Sequence, residues 1–151
     1  MNTPAVGDVC PPRRYTHSRL QLFRFGAVTW NSHRIHYDAA FAASEGFPDV
    51  VVQSTLHGQT LTRYALEWAG SEARTESVSW RNIATAVAEE PLTWTATVRT
   101  VAPCDSGVRV TLDVRVLKDD GGPCVTGHVE LTCRAVRTSP SAEPSGDPAT
   151  S

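Results

Sequence analysis

The chain has 151 residues, with 14 Lys and Arg against 16 Asp and Glu and 40% hydrophobic residues, a balance that suits one globular domain with a real core. A net charge of −2 and a single lysine, Lys118, argue against nucleic acid as a partner, since phosphate binding depends on clustered cations. No apolar run approaches the roughly 18–20 residues that span a bilayer, so no membrane partner is expected.

Residues 1–17, MNTPAVGDVCPPRRYTH, lack a basic start followed by an apolar stretch, so no secretory leader is expected and the cytoplasm is the expected location. The prolines and low apolar content predict an extended N-terminal arm, followed by a folded domain over 18–137. From Arg19 to Trp30 the apolar residues alternate imperfectly, and the Phe and Val content predicts a strand broken near Gly26. Asp38 precedes an Ala-rich segment and is placed to cap a short helix, which Gly46 ends before Phe47-Pro48 turns the chain. A short apolar run, Val50–Val52, leads to Ser54 and Thr55, both good N-cap residues, and then to a longer helix of about 54–69.

In that helix Leu56, Thr60 and Tyr64 share one line, and Leu61, Ala65 and Trp68 a neighbouring one, which predicts one broad buried face. Gly58 costs helix propensity and predicts a close approach of another backbone; Gly70 is a natural stop. Beyond it the period changes to alternation over Ser77–Trp80, Leu92–Val101, Val108–Leu117 and Cys124–Val136, with hairpin signals at 103–107 and 119–123. Strands in meander order around one long helix imply an α+β protein with an antiparallel sheet. The Ser/Pro/Ala tail, 138–151, has almost nothing to bury and is expected to be disordered.

The four cysteines, Cys10, Cys104, Cys124 and Cys133, form no CxxC pair and no Cys/His ligand spacing. They are expected to be structural thiols, although Cys104 and Cys124 could face each other across a hairpin. Trp68, Trp80 and Trp94 are expected in the core or a dimer interface.

The chemistry is concentrated between Thr29 and Leu61, where polar groups including His33 and His36 gather at the end of one element and a helix start follows. Within it, Thr29-Trp30-Asn31-Ser32-His33-Arg34-Ile35-His36-Tyr37-Asp38 and Glu45-Gly46-Phe47-Pro48 resemble the hot-dog-fold acyl-thioester dehydratases and hydratases. The nearest resemblance is to the mesaconyl-CoA hydratase and fungal-type 3-hydroxyacyl-thioester dehydratase branch of the MaoC-like enzymes. Residues 79–94, SWRNIATAVAEEPLTW, also resemble that branch, and the likeness spans roughly residues 20–136.

The resemblance implies a hot-dog fold, an antiparallel sheet wrapped around one long helix. It also implies a dimer, a CoA- or carrier-protein-bound acyl thioester as substrate, and neither metal nor redox cofactor. Carried onto this chain, the family's catalytic His is His36, and the Asp five residues before it is replaced by Asn31. His can exchange a proton near neutral pH, whereas Asn can only donate and accept hydrogen bonds. The expected machinery is therefore His36 as general acid or base and Asn31 as the group that holds the water or hydroxyl. A backbone N–H of Thr55 or Leu56 would meet the thioester carbonyl at the helix start. Relatives often read HGPL there; here the residues are Gln53-Ser54-Thr55-Leu56.

His33, Arg34, Ser54, Thr55, Leu56 and His57 are the expected substrate contacts. Each candidate also has a structural reading: His36 as a buried structural histidine, His33 as a solvent-exposed ring, Asp38 as an N-cap rather than an acid. Likewise Arg34 suits a surface ion pair as well as a pantetheine phosphate, and His57 can simply pack. The expected function is acyl-thioester hydratase or dehydratase. The alternatives are a hot-dog thioesterase, another enoyl-thioester addition enzyme, or a non-catalytic hot-dog chain pairing with a second one. Homodimer and heterodimer both remain open at this point.

Overall fold

A computed structural model describes residues 4–134. The elements run β1 (Val9–Thr16), α1 (Arg19–Val28), a 3-10 turn (Arg34–His36), α2 (Ala39–Ser44), α3 (Ser54–Ala69), β2 (Arg74–Asn82), β3 (Pro91–Cys104), β4 (Gly107–Leu117) and β5 (Pro123–Arg134). The strands form one antiparallel sheet in the order β1-β3-β4-β5-β2.

Alternation in β3 and β4 sets the inner face. Leu92, Trp94, Ala96 and Val98 of β3 and Val110, Leu112, Val114 and Val116 of β4 are all buried. A bulge between Val98 and Thr100 then breaks the register of β3 against β4. These side chains pack with Leu56, Leu61, Tyr64 and Ala65 of α3 in one core. Both edge strands also reach the helix. Tyr64 donates its hydroxyl to the Pro11 carbonyl of β1 over 2.9 Å, and the Trp80 indole of β2 lies against Gly58. A sheet that touches its central helix from both edges is curled around it, which is the expected hot-dog arrangement.

Four local readings are corrected. Arg19–Trp30 is not a strand: residues 19–28 form α1, capped by Ser18, whose side chain accepts the Gln21 N–H. The stretch read as an N-terminal arm carries β1, paired to β3, so the sheet begins well before residue 18. The N-cap of α3 is Gln53 rather than Ser54 or Thr55, which are already helical. The close approach at Gly58 is to a side chain: a Cβ there would stand 2.6 Å from the Trp80 ring.

Asp38 does cap α2, its Oδ1 accepting the Phe41 N–H at 3.0 Å, and Gly70 does end α3. All four cysteines are free, with Cys10 and Cys124 buried. Burial pushes both thiols up to about 11. The tail 138–151 lies outside the described residues.

Candidate active site

The site begins at the end of α1. Thr29 is the C-cap, Trp30 takes a left-handed backbone (φ 54°), and the Asn31 N–H returns to the Gly26 carbonyl at 2.9 Å. That is a Schellman ending with tryptophan where glycine is usual. It turns the chain sharply, leaves Trp30 93% exposed, and delivers Asn31 to the mouth of the next turn. Asn31 Oδ1 accepts the His33 N–H at 3.3 Å, so its Nδ2 hydrogens are what the side chain still offers.

His33 caps the 3-10 turn with its Nδ1, and the His36 N–H closes the turn on the His33 carbonyl at 3.2 Å. The two imidazoles lie edge to face with centroids 6.0 Å apart. His36 is half-buried, and its Nδ1 stands 2.7 Å from the Val51 carbonyl oxygen. A carbonyl oxygen can only accept, so Nδ1 carries the hydrogen and Nε2 is left with a free lone pair. Partial burial lowers the His36 pKa, the Val51 bond pulls it back up, and the nearby His33 adds a further lowering. Nε2 is thus an unprotonated base at neutral pH.

The segment that holds His36 is itself pinned. The Val51 N–H donates to Ile35 O at 2.8 Å, the Val52 N–H to Ala86 O at 2.9 Å, and the Ala88 N–H to Val50 O at 2.9 Å. Two residues further on α3 starts. Gln53 makes no side-chain cap bond, and no described residue accepts from the Ser54 or Thr55 N–H. These two donors sit at the positive end of a 16-residue helix, suited to an oxygen that gains negative charge. The Leu56 N–H, one of the two expected for that role, is committed to the Gln53 carbonyl at 3.0 Å.

The remaining expected contacts are distributed unevenly. Ser54 and Thr55 are exposed at the helix start, where Ser54 Oγ accepts the Trp80 indole N–H at 3.1 Å. Arg34 lies over the Phe41 ring at 4.5 Å and pairs with Asp38 at 2.6 Å, the surface ion pair that was its structural reading. Leu56 and His57 are both 2% exposed and belong to the core. His57 faces His17 across 5.9 Å, and burial, with His17 beside it, pushes its pKa down to about 4. Gln53, fully buried beside the site, is the residue the sequence reading passed over; only its place before a helix start hinted at it. Among the described residues no group of three or more His, Cys, Asp or Glu is placed to hold a metal ion, and no helix is long and apolar enough to cross a membrane.

A curled antiparallel sheet around one helix, with a His turn packed at the helix start, defines a hot-dog protein. Solved structures agree on the fold. The chain matches one in the ChsH1–ChsH2 complex from Mycobacterium tuberculosis with TM-score 0.77 and 25% identity, over 87% of this chain and 100% of that one. It matches the (R)-hydratase from A. caviae involved in PHA biosynthesis with TM-score 0.79 and 18% identity, over 87% and 98%. By sequence, 54 residues are 46% identical to the mesaconyl-C(4)-CoA hydratase of Chloroflexus aurantiacus, covering 35% of this chain but only 19% of that protein. A model of the hydroxyacyl-thioester dehydratase type 2 family matches residues 7–88, from the start of β1 through the site to the loop after β2. The chain belongs to that family.

Proposed function

We propose that the protein hydrates an enoyl thioester, or dehydrates a 3-hydroxyacyl thioester, with His36 as the proton-transfer group. The observation that carries the reading is the tautomer: Val51 holds the Nδ1 hydrogen, leaving Nε2 basic next to a helix start with two uncommitted N–H donors. In the hydration direction His36 Nε2 takes a proton from water while the water oxygen bonds to C3. The C2–C3 π electrons move toward the thioester carbonyl, forming an enolate. Ser54 and Thr55 N–H groups stabilise the enolate oxygen, and the imidazolium then returns the proton to C2. Asn31, unable to transfer a proton, donates from Nδ2 to orient the water or hydroxyl. Dehydration is the same path reversed.

Enoyl-CoA thioesters and their carrier-protein counterparts test this directly. The product should be a 3-hydroxyacyl thioester, heavier by one water with its thioester intact. Free thiol release without hydration would instead make the protein a thioesterase.

A second reading concerns assembly. Asn31 stands where the resemblance places an Asp, and two carboxylates flanking the site segments are engaged in ion pairs, Asp38 with Arg34 and Asp49 with Arg19. Solved neighbours include the two-component ChsH1–ChsH2 and HadBC complexes. On this reading a second hot-dog chain supplies the missing group, and activity appears only when the two are mixed.

A further inference from the structure

The N-cap of a helix usually spends its side-chain oxygen on the helix's own first N–H groups. Gln53 does not. Its side chain is fully buried, and its Nε2 donates to the Leu22 carbonyl at 2.8 Å, in the middle of α1 and 31 positions away. One turn further along α1 is Gly26. A Cβ at that position would stand 3.2 Å from the Asn31 carbonyl oxygen and 3.5 Å from Gln53 Nε2. Glycine therefore lets α1, the Asn31 turn and Gln53 meet at one point.

The sequence of attachments along residues 51–55 follows from this. Val51 holds the His36 ring and takes the Ile35 carbonyl, Val52 is bonded to Ala86, and Gln53 is bolted to α1. Ser54 and Thr55 then present their N–H groups. Because Gln53 turns its side chain toward α1 rather than over the helix end, those donors stay uncommitted. Gln53 Oε1 is sealed from solvent and meets no hydrogen-bond donor among the described residues, so Nε2–Leu22 is the bond that holds this side chain.

We infer that Gln53 is a positioning residue: its Nε2–Leu22 bond fixes the N–H donors of α3 relative to the turn that carries Asn31 and His36. It touches no substrate. This role rests on the hydratase reading for its kinetic consequence, but the brace itself can be read without turnover.

Two variants test it. Gln53→Met keeps length and removes the donor. It should lower kcat on an enoyl-CoA by on the order of tenfold or more with KM little changed, because misplacement is felt mainly in the transition state. Gln53→Glu gives an opposite pH signature: only the protonated carboxyl can donate to Leu22, so its activity should recover toward acid pH, where wild type declines. In parallel, NMR of the full chain should show the Ser54 and Thr55 amide signals and the His36 ring nitrogens moved in Gln53→Met. If Gln53→Met fails to fold, Gly26→Ala, which crowds the same point with Gln53 intact, carries the decision through the same signals. Wild type inert on every thioester would sink the hydratase reading and leave the NMR comparison to judge the brace. Amide and ring signals unmoved in a folded variant would overturn the brace.

Discussion

His36 Nδ1 donates to the Val51 carbonyl over 2.7 Å, while Val51 donates its own N–H to Ile35 O, one residue before that same histidine. The His36 ring and the segment that orients it are thus clasped in both directions, fixing ring and tautomer together. The expected consequence is a rate profile with a definite sign. Hydration needs neutral Nε2, and burial has lowered the His36 pKa. So kcat/KM should rise with pH and level off at an apparent value below the ordinary imidazole value of about 6.5. Initial rates across a pH series read it.

Asn31→Asp keeps the acceptor for the His33 N–H but places a carboxylate in the turn of His36. A nearby negative charge favours the protonated ring. The profile of Asn31→Asp should therefore shift to higher pH, whereas Asn31→Ala should lower kcat without moving it.

Stability should also depend on pH, through a different pair. His17 and His57 are buried, face each other, and both titrate below the ordinary imidazole value because burial disfavours their charge. The unfolded chain then binds protons first, so stability is full at neutral pH and falls as pH drops from about 6.5 toward 4. For His57, taken from about 6.5 unfolded to about 4 folded, the loss at pH 5 is about 2 kcal/mol at 1.36 kcal/mol per unit. Urea midpoints at neutral pH and at pH 5 measure it, and His57→Met should flatten the dependence.

At Gly58, a methyl group would press into the Trp80 ring, which cannot swing away freely while its N–H is bonded to Ser54 Oγ. Gly58→Ala should cost about 1–3 kcal/mol by overpacking, outweighing its gain in helix propensity of about 1 kcal/mol. Denaturant unfolding gives the sign, and near-UV circular dichroism should report the displaced indole.

The parts of this architecture that were legible in the sequence are those where one period dominates. β3, β4 and β5 alternate because one face is core, and α3 carries its stripe because it is central. The α1 segment was not legible, for a physical reason: only Leu22 and Gly26 are buried on it, while Leu20, Phe23 and Val28 face outward, so its apolar residues trace no helical stripe. Its left-handed ending holds Trp30 instead of the glycine that would have marked it. The Ser18-x-x-Gln21 spacing at its start was the available signal. In the site, His36 and Asn31 stood out because of their motif. Gln53 did not, because its partner Leu22 is a backbone carbonyl that no residue type announces. The Leu56 N–H bond to Gln53 O was not legible for a similar reason, since a first-turn bond is invisible in the residue string.

The most direct measurement is the hydration rate of short and medium enoyl-CoA thioesters, followed by loss of the conjugated enoyl absorbance, for wild type beside His36→Ala. Wild type should hydrate these thioesters measurably, and kcat should fall by about 10²–10⁴-fold in a His36→Ala protein of unchanged stability. Hydration at the wild-type rate by folded His36→Ala would contradict the proton-transfer role of His36.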